Sequence, residues 1–446
     1  MSKATSRTQY RKRMPLLAWV LIGLILVNVT GCESLPFDWE LPWVSQAPGG
    51  DTPTQAVASQ TSQPTDLGIE TTPVPEPEEL TIWLPAELSP QGEDQAAVLL
   101  QSRLDAFAEA QDLEIQVRVK NLSGAGGLLD ALTATNAAAT EALPDLIVLN
   151  RKDLETAALK SLVYPLDELT TIVDGEDWFP YARNLSLIQN VVYGIPFVGD
   201  PLALVYDARL DLIPSSDWAG IASNAGVLIF AADDPQAAFP LTLYMAQGGL
   251  VEDTQRHPIL EEEPLTDTLT LLRAANSAGH IYQLSLEYQD SSKVWEAFET
   301  GQANMAVAPI SQVLQALKQE PGTQPIPTVV EMPVTTASGW VWAVTTPQPE
   351  RQKLAVALAE NLVEPGFLSG WTESLGRLPA RPSALDAWQD EALKITLGKI
   401  SSTAVVYPSN EVLTSIAPVL RNATLLVLRD NASLEETAKQ AVESLK

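Results

Sequence analysis

From Leu80 onward, short runs of β-forming residues alternate with segments of helical period, and this alternation most limits how the chain can fold. "LTIWL" (80–84) reads as a strand. "DQAAVLLQSRLDAFAEA" (94–110) reads as a helix with Leu100, Leu104, Phe107 and Ala108 on one face. "LEIQVRV" (113–119) alternates like a strand, "GLLDALTATNAAA" (127–139) is helical, "PDLIVLN" (144–150) is a buried-type strand and "DLETAALKSL" (153–162) is helical again. The style continues through "GVLIFA" (226–231), "TDTLTLLRAAN" (266–276), "KVWEAFETG" (293–301), "ANMAVAP" (303–309), "GWVWAVT" (339–345) and "RQKLAVALAENLV" (351–363). Such an order predicts βαβ units and a largely parallel sheet, an α/β fold.

One stretch interrupts the pattern. In "NVVYGIPFVGDPLALVYD" (190–207), two β-forming runs flank a Gly194–Pro196 corner, and the second run ends at Tyr206-Asp207. Pro196 fixes its own φ near −65°, and Gly194 is expected to supply an unusual backbone angle. By itself the corner reads as a plain hairpin.

The chain ahead of Leu80 is of another kind. Lys3, Arg7, Arg11, Lys12 and Arg13 precede the apolar run "LLAWVLIGLILV" (16–27) and then "NVTGC", the pattern of a secretory signal. "VTGC" resembles the lipobox of bacterial lipoproteins, with Val29 where Leu is commoner. That resemblance makes Cys32 the lipidated residue and residues 1–32 a signal peptide; an uncleaved signal anchor is the alternative. Cys32 is the only cysteine, so neither disulfides nor a cysteine metal cluster can form within the chain. Trp39 and Trp43 follow, placed for a membrane interface or for packing on the protein itself. Residues 46–79 are dominated by Pro, Thr, Ser and Gln, so 33–79 is expected to be a disordered linker before a folded part at 80–446.

The formal net charge is −29, with 27 basic and 56 acidic residues. Setting aside the five basic residues of 1–32 leaves 22 basic against 56 acidic, a net of −34. Such a surface repels phosphate backbones and excludes nucleic acid as a partner. Motifs of catalysis are missing: no G-x-S-x-G, no H-E-x-x-H and no P-loop lysine. His257 and His280 are the only histidines and lack ligand-like spacing, so neither a metal, a cofactor nor a catalytic residue is expected. Asp233-Asp234 follow the strand "GVLIFA", where a sheet-end loop could carry them. Aromatic residues at strand ends point to a ligand cleft instead, because open α/β sheets bind at the carboxyl ends of their strands. Trp83, Phe197, Phe239 and Trp340 are the candidates.

The order of landmarks resembles the extracellular solute-binding proteins, family 1, the sugar-type receptors of ATP-driven importers, to which the maltose-binding protein is related. It is carried by "LTIWL", "LPDLIVLN", "VVYGIPF…LALVYD", "WEAFETGQANMAVAP", "GWVWAVTT" and "ESLGRLPARPSAL", spread over residues 80 to about 390. The resemblance implies a two-lobed periplasmic-binding-protein-like fold of type II, with ligand held between lobes that close on it. Lobe one would take approximately 80–205 and 339–370, lobe two approximately 206–333 and 371–446, with hinges at Tyr206 and Ser338. Carried over, the ligand-binding positions are Trp83 and Glu87 in the first loop and Asn150, Lys152 and Asp153 after the "PD" strand. Phe197, Asp234, Phe239, Trp340 and Tyr407 complete the set. Ser311 stands where the maltose relative has a stacking aromatic, and Asp145 is expected to be structural. The implied function is a lipid-anchored, extracytoplasmic receptor that delivers a small polar solute, a sugar or oligosaccharide, to the permease subunits of an importer. A sensory receptor of the same fold and an anchored glycoside hydrolase are the alternatives.

Overall fold

The computed structural model describes residues 78–209, 214, 220, 226–319, 327–330 and 333–446. These belong to one compact unit, Val74–Lys446. The expected signal peptide, Cys32 and nearly all of the expected linker lie outside the described residues.

Strands are β1 (Glu78–Pro85), β2 (Leu113–Lys120), β3 (Leu146–Asn150), β4 (Leu187–Ile188), β5 (Val191–Val192), β6 (Ile195–Asp207), β7 (Leu228–Ile229), β8 (Met305–Pro309), β9 (Pro327–Val330), β10 (Thr335–Val344), β11 (Leu378–Pro379) and β12 (Ala404–Val406). Helices in the first part are α1 (Gln95–Gln111), α2 (Leu128–Ala138), α3 (Arg151–Leu159) and α4 (Pro180–Leu185). The middle of the chain gives α5 (Ala238–Ala246), α6 (Glu262–Ser277), α7 (Ser291–Glu299) and α8 (Ile310–Leu317). The last part gives α9 (Pro349–Leu362), α10 (Pro365–Leu375), α11 (Pro382–Asp386), α12 (Glu391–Thr403), α13 (Asn410–Arg429) and α14 (Leu434–Glu443). The α/β class read from the alternating pattern is the fold observed.

The main sheet runs β2-β1-β3-β10-β6-β8-β7. β1 pairs in parallel with β2 and β3, β7 with β8 and β10 with β12, while β10 runs antiparallel to β3 and β6, and β6 to β8, so the sheet is mixed and not the largely parallel one the pattern predicts. β6 is 13 residues long and changes partners midway. Its residues Ile195–Pro201 pair with β10, and Leu202–Tyr206 with β8. The change therefore falls between Pro201 and Leu202. Tyr206, the expected hinge, sits further along, opposite Met305 and Thr328. Ser338 lies opposite Asp200, at the change itself.

The broken strand has a different cause from the one expected. Gln189 and Asn190 carry the positive φ angles, 52° and 66°, and turn β4 into β5. Gly194 is not in the left-handed region. Its missing side chain matters because a Cβ there would lie 2.5 Å from Val341 Cγ2. Pro196 sits at a register shift of β6 against Trp340 and Val341, the kind of irregularity at which strands accept proline.

The largest core cluster surrounds β1, β3, β10 and the first part of β6. A second gathers Leu204, Phe230, Phe239, Met305 and Val307. A third holds Leu241, Tyr244 and Leu269 against α13. α13 is long and apolar enough to cross a membrane, but Val412, Ile416, Leu420 and Val427 are buried in that third cluster. The boundary expected at residue 371 does not match the packing. α10 packs on α1, α12 on α4, and β11 pairs with Val198 and Gly199 of β6. Only α13 and α14 join α5 and α6.

Candidate functional site

Beside the point where β6 changes partners lies a cavity of about 860 Å³. Ends of β3, β7 and β8 reach it, as do the first turns of the helices that follow them. Glu87, Asn150, Lys152, Asp234, Phe239, Trp340 and Tyr407 all line it. Three other expected residues do not.

Trp83 is 2% exposed in the β1 core, with the Lys120 ammonium 4.5 Å from its ring centre. Phe197 is 0% exposed and stacks on Trp342, at 4.9 Å, and on Trp371, at 5.6 Å, the two indoles themselves lying 6.5 Å apart. Both are core because a strand end in sequence is not a sheet end in space: α2 packs on β1, and Trp371 of α10 packs on Phe197. Asp153 serves the start of α3, its N–H donating to Asn150 Oδ1 and its carboxylate accepting from Asn150 Nδ2, each at 2.8 Å. Burial raises its pKa against the pull of Asn150 and Lys152.

Trp340 and Trp342 both contact Phe197, so they share a face, as strand alternation requires. Trp342 is 1% exposed and Trp340 is half-buried at the cavity. Arg377 covers the Trp340 ring, its guanidinium carbon 5.2 Å from the ring centre, and forms an ion pair with Glu87. Tyr407 is half-buried, and burial pushes its hydroxyl pKa up despite a hydrogen bond with Thr336.

The remaining carboxylates of the cavity wall are engaged by backbone N–H groups. Asp234 accepts from Gln236 N and Ala238 N, both at 2.9 Å, closing the first turn of α5. Its pKa is raised by burial, against those two bonds. Its neighbour Asp233 faces Arg421 in an ion pair and accepts from Gln289 Nε2. Asp290 closes α7, accepting from Ser292 N and Lys293 N. Asp200, on β6, accepts from Ser311 N and Ser311 Oγ, both at 2.9 Å. Burial raises the Asp200 pKa, opposed by Ser311 and by the Arg377 charge.

Across the mouth, α3 is tied to the start of α13. Glu155 accepts from Asn410 N, at 3.1 and 3.2 Å to its two oxygens, and pairs with Arg151 at 3.1 Å. Asn410 Nδ2 returns a bond of 2.9 Å to Lys152 O.

Asp200, Glu155, Asn410 and Arg377 escaped the sequence reading. Asp200 had a signal: Gly199-Asp200-Pro201 interrupts an otherwise apolar strand. Arg377 lies within "ESLGRLPARPSAL" and has no local mark of its role. Asp145, expected to be structural, is 1% exposed, accepts from Thr81 N at 2.8 Å and pairs with Arg351. Among the described residues no group of His, Cys, Asp and Glu is arranged to hold a metal.

A sheet of this order, with a polar and aromatic cavity where its strands change partners, is a binding-protein fold of the periplasmic-receptor kind. The family model for bacterial extracellular solute-binding proteins matches residues 102–395, and the chain belongs to that family. Membership places it outside the cytoplasm. Comparison with curated protein sequences finds no match. Three solved structures show the same fold. The maltose-binding periplasmic protein MalE of Listeria monocytogenes, in complex with maltose, is 13% identical, TM-score 0.66, covering 82% of this chain and 97% of its own. The cyclic α-maltosyl-1,6-maltose binding protein of Arthrobacter globiformis is 15% identical, TM-score 0.66, covering 83% and 98%. The GacH receptor of Streptomyces glaucescens, also solved with acarbose, is 17% identical, TM-score 0.61, covering 82% and 97%. These relatives are binding proteins and receptors.

Proposed function

We propose that this protein is the receptor of an ATP-driven importer and captures a sugar or oligosaccharide in the 860 Å³ cavity. The observation that carries the reading is the lining. Trp340 and Tyr407 offer aromatic surface for sugar C–H faces, and Glu87, Asn150, Lys152 and Asp234 supply polar groups for hydroxyls. Three solved relatives bind maltose, a cyclic maltosyl-maltose and acarbose. Lobe one comprises about 78–201 and 338–406, lobe two about 202–337 and 407–446, and the lobes close over the solute. Cys32 carries the lipid, and the segment after it spaces the receptor from the membrane so that it can reach the permease subunits.

Calorimetric titration of residues 78–446 with maltose, maltotriose, cellobiose and xylobiose tests the ligand class, with binding of at least one expected below about 100 μM. No heat with any of them, while native mass spectrometry finds a co-purified solute that is not a carbohydrate, overturns it. Palmitate labelling of the full chain and of Cys32→Ala tests the anchor; equal label in both rejects it.

A further inference from the structure

The Arg377 side chain is 13% exposed and carries five N–H donors. Among the described residues its guanidinium donates only to Glu87, and its carbon lies over the Trp340 ring. Its other N–H groups remain able to donate, and Arg377 lines the cavity. On its own, that geometry would suit an anion. The surroundings argue otherwise. Glu87 already neutralises the charge, and Asp200 lines the same cavity as both.

Helix N-termini offer no alternative anion seat. α3, α5, α7, α8 and α13 begin at the cavity. Asn150, Asp234, Asp290, Asp200 and Glu155 respectively accept from their first-turn N–H groups. The positive ends that favour phosphate elsewhere are thus met by this chain's own side chains, four of them carboxylates.

We propose that Arg377, lying over Trp340 and compensated by Glu87, is the donor that fixes an uncharged polyhydroxy ligand, and that Glu87 and Asp200 exclude anionic saccharides of the same shape. This deepens the saccharide reading of the cavity and rests on it. Arg377 donates to a pair of ligand oxygens while Glu87 and Asp200 accept from hydroxyl hydrogens. A phosphate or carboxylate in that place meets two carboxylates across a single guanidinium, a built-in repulsion of the kind that sets specificity.

The test compares maltose with maltose 1-phosphate by calorimetric titration. Wild type should bind the phosphate at least about tenfold more weakly, with a gap that narrows as salt is raised, because screening weakens charge repulsion and leaves steric exclusion untouched. Glu87→Gln with Asp200→Asn, which keeps the acceptor for Ser311, should narrow the gap at least about threefold. Arg377→Lys, which keeps the charge and loses the fork, should weaken maltose about tenfold at an unchanged melting temperature. Arg377→Met with Glu87→Gln supplies the same comparison if the single variant unfolds. Equal binding of the two probes, a gap insensitive to both salt and Glu87→Gln/Asp200→Asn, or unchanged maltose affinity in the Arg377 variants overturns the proposal while leaving the saccharide reading standing. Binding of neither probe nor of any neutral sugar in the panel overturns both.

Discussion

Gly199 is the residue at which a single added carbon should do most damage. It precedes Asp200 on β6, opposite Gly339 of β10. A Cβ built there would lie 1.7 Å from Tyr181 Oη, 2.5 Å from Cζ and 2.7 Å from Cε2. Tyr181 has nowhere to go: it is 0% exposed on α4 and stacks on Phe179 with ring centres 6.2 Å apart. Overpacking costs about 1–3 kcal/mol, and a rigid buried ring puts Gly199→Ala near the upper end, at about 3 kcal/mol. At about 2.1 cal/mol/K per residue over roughly 370 residues, this lowers the melting temperature by about 4 °C. Tyr181→Phe should rescue little, because Cζ remains too close. Tyr181→Ala alone should cost about 3–5 kcal/mol as a large buried side chain lost. In that background Gly199→Ala should cost less than about 0.5 kcal/mol, since the obstacle is gone, giving a coupling of about 3 kcal/mol. Urea titration of the four proteins measures the cycle. Additivity within about 0.5 kcal/mol would refute the argument that Gly199 exists to admit Tyr181.

Phe197→Ala should destabilise by about 3–5 kcal/mol in denaturant titration, since the buried ring stacks on two tryptophans; a variant that melts normally but loses saccharide affinity would return Phe197 to the site. Glu155→Ala leaves Arg151, whose side chain is 17% exposed, without its counter-ion and frees Asn410 N, so a loss of about 2–4 kcal/mol is expected, with Glu155→Gln losing less than half as much. Asp177 accepts from Ser383 Oγ, Ser383 N and Arg381 Nε; burial pushes its pKa up, but these bonds, Ser383's first, outweigh it and hold the carboxyl below its usual range. A depressed folded pKa gives stability that is present above the unfolded value, about 3.9, and lost as pH falls through the folded one. The wild-type advantage over Asp177→Asn in melting temperature should therefore be full at pH 6 and shrink below about pH 4; a constant difference across that range contradicts the assignment.

The sequence by itself determined the α/β class and most element positions, because strand and helix periods are local properties. The helix read at 94–110 is α1 at Gln95–Gln111, and the strand read at 113–119 is β2 at Leu113–Lys120. Strand-end position marked the aromatics Phe239 and Trp340, which do reach the cavity wall, while Glu87, Asn150, Lys152, Asp234 and Tyr407 on that wall were indicated as binding positions only by the family resemblance. Depth was decided only by the tertiary structure. Trp83, Phe197 and Trp340 look alike in sequence, yet the first two are enclosed in the core and the third borders the cavity. Partnership was decided there too. Asp200 meets Ser311, Glu155 meets Asn410 and Arg377 meets Glu87 across 111, 255 and 290 residues of chain. No local pattern encodes such pairs. They exist because β6 runs through both parts of the sheet and brings distant loops to the same edge.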